Sequence, residues 1–390
     1  MSRHSDVNWR TATSLLVIGL ILLFGISLIE PANGNTLGAT TQILAPPADI
    51  SGFARAIDAR EWQFPRDHGA HPAFQTEWWY YTGNLATDEG RRFSYQFTIF
   101  RRALTPLATR RDSEFRANDI YMAHFTLSDI KGGDFFHDVR YARGGAELAG
   151  ATADPHYRVW LEDWQVRAEN DEATQTRITA ASADFAIDLR LRQVKPPALQ
   201  GDKGLSPKSA EIGNASYYYS LSRLLTSGRL SIGAEAYTVE GATWMDHEFS
   251  TSALGVNARG WDWFGLTFND DSELMAGQIR LTDGGIEPAF GGLLIAPDGS
   301  TRQLSAEEIQ IAVSDTWLSP HSSAEYPAGW DITISGPGGF RIAVAPLMPD
   351  QELHGAGIIY WEGAVSISGD KSGYGYAELT GYAASMQNRF

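Results

Sequence analysis

The amino-acid sequence predicts an all-β protein made of two antiparallel β-barrels. Apolar and polar residues alternate with a period of two in many short runs, and Phe93, Tyr95, Phe97 and Ile99 share one face of such a run. Turn residues separate the runs, and 39 of the 390 residues are glycine, which is typical of β-sandwiches and barrels. The sequence predicts no long amphipathic helix, and the segment SAEEIQIAV at 305–313 is the one short candidate.

The first two predicted strands form a β-hairpin. The stretch EWWYYTGNL at 77–85 leads through the turn ATDEG at 86–90 into the alternating run at 91–104. Further strand-like runs follow at 119–130, 157–169, 176–194, 228–245, 261–269, 273–282, 290–296, 330–336, 340–347, 358–369 and 374–383. Both halves of the chain are therefore predicted to consist of β-strands.

An internal repeat predicts the number of barrels. Four residues have the spacing of four later ones, each displaced by 182 residues: Trp79, Tyr81, Gly83 and Gln96 correspond to Trp261, Trp263, Gly265 and Gln278. Chance, or a pattern common to barrels, is the alternative to duplication because only four positions match. We predict an N-terminal barrel domain at 55–232 and a C-terminal barrel domain at 233–390.

Composition excludes several classes of function. The formal net charge of −16 argues against nucleic acid as a partner, because phosphate binding needs concentrated Lys and Arg. The chain contains no cysteine, which excludes disulfides, thiol nucleophiles and Cys-ligated metals.

The N-terminal region predicts export. Residues 1–13, with Arg3 and Arg10, have the character of a cytoplasmic n-region, and residues 14–29 form an uncharged apolar segment. Sixteen residues are slightly short for a spanning helix and slightly long for a signal core, so this segment is predicted to be a signal peptide or an uncleaved membrane anchor. A buried core helix is the alternative. A polar linker at 30–54 follows, and the predicted location is the periplasm, either anchored to the inner membrane or released.

The opening strand carries aromatic rings on both faces. Glu77, Trp79 and Tyr81 share one face, while Trp78 and Tyr80 share the other. One aromatic face can fill a barrel, whereas the other must meet a second layer, the partner domain or a ligand. Glu77 is expected to be a buried partner of an arginine such as Arg101, with a ligand contact as the alternative.

The segment TWMDHE at 243–248 is the main candidate for chemistry. Trp244 and Asp246 share a strand face, so a carboxyl group lies beside an indole. Burial there should raise the pKa of Asp246 and keep part of it protonated, as a general acid requires. In the alternative, Asp246 caps a turn or pairs with Arg259, and His247 is a surface residue whose ring nitrogens have hydrogen-bond partners.

A run of three tyrosines is the second candidate. Tyr217 and Tyr219 share a face, and aromatic rings commonly line apolar ligand cavities and stabilise cations. Packing at a barrel rim is the equal alternative. His124, on another predicted strand, either orients a ligand or is a core histidine with a hydrogen bond.

No metal or cofactor is predicted. The histidines are scattered without HExxH or comparable spacing, and neither a GxSxG elbow nor a glycine-rich phosphate loop occurs. Ser206 and Lys208 in LSPKS are separated by a single proline. This segment is too short to predict a catalytic Ser–Lys pair.

Several motifs together resemble one protein family. The segments HPAFQTEWWYYTGNL, FSYQFTIFRRAL, MAHFTLSD, ASYYYSLSRL, GATWMDHEFSTSAL, GWDWFGLTFN and YWEGAVSISG, in this order, resemble the AttH-like family of exported lipocalin-like proteins. That family is related to carotenoid 1,2-hydratase and is often described as predicted secreted hydrolases. The resemblance extends from about residue 55 to the C-terminus and implies two lipocalin-like barrels packed together. The family also looks related to lipocalin-like cyclases that hold an apolar substrate between domains.

The resemblance implies site residues. The hydratase branch carries His-x-Trp upstream of Tyr-x-Asp, which corresponds here to Tyr217 and Tyr219 and to Trp244 and Asp246. Asp246, the one matching residue, would protonate a trisubstituted alkene, and Trp244 and Tyr219 would shield the tertiary cation that water captures. Loss of the histidine puts carotenoid hydration in doubt.

Two hypotheses follow. In the first, the protein is a hydratase-like hydro-lyase with Asp246 as catalytic acid; in the second, it is a carrier of a hydrophobic isoprenoid or lipid-like molecule, associated with an ABC-type export system. A hydrolase is a weaker third reading. The predicted ligand-binding residues are Tyr217, Tyr219, Trp244, His247, Trp261, Trp263, Trp79, Tyr81, Gln96 and His124.

Overall fold

The alternating pattern forms 23 β-strands in the part of the chain that the computed structural model describes. The described residues are 50–106, 117–251, 254–255, 257–355 and 358–386. The predicted n-region, the apolar segment at 14–29 and all but the last five residues of the predicted linker lie outside them. Among the described residues, no helix has the length and apolar character needed to cross a membrane.

The first thirteen strands form one antiparallel sheet. They are β1 Thr76–Ala86, β2 Arg92–Ala103, β3 Asp119–Asp129, β4 Asp134–Arg143, β5 Ala149–Thr152, β6 Arg158–Leu161, β7 Trp164–Ala168, β8 Gln175–Ala181, β9 Phe185–Gln193, β10 Ala198–Leu199, β11 Leu205–Pro207, β12 Ala215–Ile232 and β13 Glu235–Ser250. Their spatial order is β4-β3-β2-β1-β13-β12-β9-β8-β7-β6-β5, and β10 and β11 also pair with β12. The sheet curls into a near-closed barrel, so that Arg140 on β4 donates a 2.8 Å hydrogen bond to the Ala181 backbone oxygen on β8.

The other ten strands form a second antiparallel sheet. They are β14 Ala258–Phe268, β15 Glu273–Leu281, β16 Gly292–Ile295, β17 Thr301–Leu304, β18 Ile309–Leu318, β19 Glu325–Ile334, β20 Phe340–Pro346, β21 Glu352–Leu353, β22 Tyr360–Gly369 and β23 Gly373–Leu379. Their spatial order is β17-β16-β15-β14-β23-β22-β20-β19-β18, with β21 paired to β22. The predicted all-β, two-barrel architecture is confirmed.

The candidate helix at 305–313 is largely a strand. A single 3-10 turn, Ala306–Glu308, follows a capping box formed by Ser305 and Glu308. The chain then enters β18 at Ile309. The alternating Ile309, Gln310 and Ile311 suit a strand, and pairing with β19 outweighs the helical preference of the two preceding glutamates.

The change of sheet does not coincide with the predicted boundary at 232/233. That position lies in the turn of the long β12–β13 hairpin, and β13 pairs with both β12 and β1. The chain passes to the second sheet only between Ser250 and Ala258. β13, which follows the predicted boundary, is a central strand of the first sheet.

The two matching residue sets do not occupy equivalent faces. Trp79 and Tyr81 fill the interior of the first barrel. Trp261 and Trp263 instead point away from the core of the second barrel and lie between the two sheets. The repeat therefore predicts the right number of barrels, although the residues that carry it differ in orientation.

The two faces of β1 belong to two different cores. The interior of the first barrel contains large buried rings, among them Trp79, Tyr81 and Phe97. A separate cluster between the sheets includes Tyr80, Tyr218, Trp244 and Trp263. The aromatic residues of EWWYY thus fill a barrel on one side and meet the second sheet on the other.

Candidate active site between the two sheets

The facing surfaces of the two sheets enclose a cavity. Its empty space is about 940 Å³, including the part open to solvent. Its apolar walls include Trp78, Phe100, Trp261, Trp263, Ile279 and Phe290. Three acidic side chains, Asp246, Glu248 and Glu378, also line it. An apolar cavity with a few convergent polar groups is the usual form of a small-molecule site.

Asp246 lies near the C-terminal end of β13 and faces this cavity. The strand register places it directly opposite Tyr80 on β1 and Ser220 on β12. Three side chains donate hydrogen bonds to its carboxylate: the Tyr218 hydroxyl to Oδ2 at 2.7 Å, the Ser220 hydroxyl to Oδ1 at 2.5 Å and the Trp244 indole to Oδ1 at 2.7 Å. Asp246 is only 4% exposed.

The environment of Asp246 favours its protonated form. Burial raises its pKa to about 7, the three hydrogen bonds limit the rise, and the charge of Glu248 adds to it. The carboxyl group is thus close to half protonated at neutral pH. The expected arrangement of a buried carboxyl beside an indole is present, and the alternative of a turn cap or a pair with Arg259 is wrong.

His247 lies on the opposite face of β13. Side chains alternate along a strand, so His247 points into the first barrel, where it is fully buried. It is therefore neither a surface residue nor part of the cavity. Trp79 and Tyr81 lie in the same interior and are also excluded from the cavity.

The predicted tyrosine pair faces away from Asp246. Tyr219 points into the first barrel, where its hydroxyl lies 2.6 Å from His68 Nδ1. Tyr217 is half-buried and donates to the Asp58 backbone oxygen. Tyr218 is the ring that contacts Asp246. Three consecutive tyrosines place a ring on each face of the strand. The sequence alone therefore could not show which tyrosine contacts Asp246.

The remaining predicted residues divide between the cavity and its surroundings. Trp261, Trp263 and His124 line the cavity. Trp244 is not in its wall and supports Asp246 from the side. Gln96 is fully buried and bonds to Thr98 on the same strand, rather than reaching the cavity.

Lys208 and Glu248 form a cavity-lining ion pair that the sequence did not indicate. Lys208 Nζ lies 2.9 Å from Glu248 Oε1, and both side chains are less than 10% exposed. The same ammonium lies 4.6 Å from the Phe290 ring centre and donates to Ser206 at 3.3 Å. Lys208 thus links Glu248, its neighbour in the cavity wall, to Ser206.

Two further glutamates face each other on the second sheet. Glu362 on β22 pairs in register with Glu378 on β23. Burial raises the pKa of both glutamates. The charge of Glu378 adds to the rise at Glu362, and the charges of Asp246 and Glu248 add to the rise at Glu378. Glu362 lies in YWEG, within a segment that carries the family resemblance, and Glu378 lies in YAEL, within the predicted strand at 374–383. Neither glutamate was predicted as a site residue.

A buried polar network surrounds Glu77 at the start of β1. Glu77 Oε1 lies 2.7 Å from His71 Nδ1 and 2.9 Å from His247 Nε2, and its Oε2 lies 3.3 Å from Arg101. The preferred expectation of an arginine partner for Glu77 is confirmed. Burial opposes its charge, yet the two histidines outweigh burial and hold the pKa of Glu77 well below its usual range.

That network also has the spacing of a metal site. The ligand atoms of His71, Glu77 and His247 lie within 4.8 Å of one another, although no sequence spacing suggested it. These atoms already bond to one another, and the Arg101 guanidinium adds a positive charge beside them. Hydrogen bonding accounts for the cluster without a metal.

Two curled antiparallel sheets with a cavity between them define a lipocalin-like two-barrel protein. The chain belongs to the AttH-like family, whose model matches residues 55–382. A candidate AttH protein from Nitrosomonas europaea is 36% identical, with a TM-score of 0.76 over 85% of this chain and 100% of that chain.

Two similar proteins are named kievitone hydratase. The structure of one from Nectria haematococca is 14% identical, with a TM-score of 0.63 over 87% of this chain and 98% of that chain, and shares the fold. The sequence of one from Fusarium solani subsp. phaseoli is 27% identical over 175 residues. That match covers 42% of this chain and 48% of the relative, so it spans about half the relative's length.

Proposed function

We propose that this protein is a hydratase-like hydro-lyase that adds water to a double bond of an isoprenoid or other lipid-like molecule held between the barrels. The observation that carries the proposal is Asp246, a buried carboxyl group with a pKa of about 7 that faces an aromatic cavity. A general acid works best when its pKa is close to the working pH.

The geometry suits protonation of an alkene. Asp246 transfers its proton to the less substituted carbon, and the other carbon becomes a tertiary cation. The rings of Tyr218 and Trp263 lie at the acid and attract a cation by about 0.5–2 kcal/mol. Water then bonds to the cationic carbon and returns a proton to Asp246, so the net change is the addition of one water molecule.

The hydrogen bonds at Asp246 serve the charged intermediate. When the proton leaves, Tyr218, Ser220 and Trp244 donate to the new carboxylate. These donors are in place before the reaction, so little reorganisation accompanies the change of charge. The negative carboxylate then faces the positive cation and stabilises it electrostatically.

Family membership supports a hydratase-like function in general terms, because a relative carries the name kievitone hydratase. That relative matches over only part of its length, so its substrate is not transferred to this chain. The first test is incubation with a panel of trisubstituted alkenes in water enriched in ¹⁸O. We expect one labelled oxygen in a tertiary alcohol, detected by mass spectrometry, and no product from any alkene would contradict the proposal.

Hydration is expected to decrease as the pH rises through about 7, because Asp246 must be protonated. In Tyr218→Phe the loss of one donor to the carboxylate should raise the pKa of Asp246 further and move this upper limit to higher pH. Tyr219→Phe, the neighbouring ring on the other face, is the matched control and should leave the limit in place. A rate profile from pH 5 to 9 measures both, and equal profiles would contradict the assignment of Tyr218.

Carriage of a hydrophobic molecule without chemistry is the second candidate, supported by the same cavity. The two candidates differ at Asp246, which a carrier has no need to keep protonated. A hydrolase gains less support, because Lys208 beside Ser206 is ion-paired with Glu248. Export to the periplasm and attachment to the inner membrane are further proposals that rest on residues 14–29. Association with an ABC-type export system is a proposal that belongs to the carrier hypothesis.

A further inference from the structure

Two buried polar atoms in the cavity wall have no hydrogen-bond partner among the described residues. They are the hydroxyl of Tyr80, on a side chain 6% exposed, and Nε2 of the fully buried His124. Both residues line the cavity. Polar atoms buried without partners are costly, and such atoms in a cavity indicate what the cavity binds.

These atoms belong to a larger polar patch. His124 Nδ1 lies 2.6 Å from the hydroxyl of Tyr360 on the second sheet. The hydroxyls of Tyr80 and Tyr360 both approach Glu362, whose two carboxylate oxygens lack partners within hydrogen-bonding geometry. Glu378 lies beside Glu362 and reaches the cavity. The patch thus joins the two sheets.

The patch has mixed hydrogen-bonding capacity. Burial lowers the pKa of His124 to about 3, so its ring is neutral and Nε2 offers either one proton or one lone pair. The Tyr80 hydroxyl can donate and accept. A ligand hydroxyl, which also donates and accepts, can satisfy either tautomer. A hydrocarbon would leave the patch unpaired, and an anionic group would meet no cationic side chain within it.

The strand register fixes the distance from the patch to the acid. Asp246, Tyr80, Thr98 and His124 are successive cross-strand neighbours on β13, β1, β2 and β3. Strands are about 4.8 Å apart, so the backbone of Tyr80 is one step and that of His124 three steps, roughly 14 Å, from the backbone of Asp246. A chain of about three isoprene units spans the longer of these distances.

We propose that the cavity binds an alkene that also carries an alcohol or phenol hydroxyl, and that Tyr80, His124 and Glu378 hold this hydroxyl. The proposal deepens the function proposed above and rests on it for the position of the double bond. It names an amphiphilic substrate class in place of a pure hydrocarbon.

Ligand affinities test this directly, without turnover. Quenching of tryptophan fluorescence is measured with farnesol, with the same triene in which hydrogen replaces the hydroxyl, and with farnesylamine, in the wild type and in Asp246→Asn. We expect farnesol to bind about tenfold more tightly than the hydrocarbon, as one well-formed hydrogen bond in a buried site implies. A ratio near one, as when water alone fills the patch, or tightest binding of the amine would overturn the proposal.

Substitutions locate the effect. Tyr80→Phe removes the hydroxyl that approaches Glu362 and keeps the ring, so the fold should tolerate it, and His124→Phe also keeps a ring. Together the two substitutions should bring the ratio close to one. Tyr157→Phe is the matched control, because its hydroxyl bonds to Tyr81 inside the first barrel, and its ratio should equal that of the wild type. If the doubly substituted protein still binds farnesol about tenfold more tightly than the hydrocarbon, the proposal is overturned. If no alkene is hydrated, the proposed function fails while the binding ratio still decides this inference.

Discussion

Replacing Asp246 by asparagine is expected to lower the rate of alkene hydration by about 10²- to 10⁴-fold, the range that general acids contribute. Asparagine has the same shape, and its amide oxygen can still accept from Ser220 and Trp244 at the position of Oδ1. The amide nitrogen then faces the Tyr218 hydroxyl, which can accept. The cavity wall is thus preserved while the transferable proton is lost.

The stability of this variant separates chemistry from damage. In the folded protein the pKa of Asp246 is raised from 3.8 to about 7. This group therefore contributes most to stability below about pH 4 and loses that contribution as the pH rises through about 7. Asparagine carries no charge, so Asp246→Asn should be at least as stable as the wild type at pH 8, as measured by denaturant unfolding.

A matched control is available on the same sheet. Asp129 at the end of β3 is equally buried but bonds to Arg91, away from the cavity. Asp129→Asn should keep the rate of hydration. Full turnover by Asp246→Asn, with ligand affinity unchanged, would contradict the acid role and favour the carrier.

The sequence predicted the fold because the fold depends on local pattern. Alternation such as Phe93, Tyr95 and Phe97 needs only the period of a strand, and the repeat displaced by 182 residues indicated two barrels. Asp246 was also predictable, because Trp244 and Asp246 are two residues apart on one strand and must share a face. Their contact follows from local geometry.

The rest of the site depends on long-range pairing. Selecting Tyr218 over Tyr219 requires the register of β12 against β13, which a run of three tyrosines does not reveal. Glu378 reaches the cavity only because the second sheet packs on the first. Neither relation is encoded by nearby residues.

Replacing Glu273 by glutamine is expected to lower the free energy of unfolding by about 3 kcal/mol, because it breaks a buried ion pair that joins the sheets. Glu273, at the start of β15, is fully buried. Its Oε2 lies 2.7 Å from Lys195 Nζ and its Oε1 lies 2.6 Å from Arg223 Nε. Arg223 lies on β12 and Lys195 in the connection between β9 and β10, so one carboxylate of the second sheet pairs with two cations from the first barrel.

The loss of stability should be large because the neutral glutamine leaves the buried Lys195 cation without a carboxylate partner. Lys195 is 7% exposed and would remain buried with only the backbone oxygens of Asp271 and Ala296 as partners. Asp188→Asn, which breaks an exposed pair with Arg177 within the first barrel, should cost less than about 1 kcal/mol. Urea unfolding of both variants measures the difference, and equal losses would show that the sheets are held by their apolar contact. Since Asp246 lies on the first sheet and Trp263 on the second, a weakened contact should also reduce ligand affinity, which connects the stability of this ion pair to the shape of the cavity.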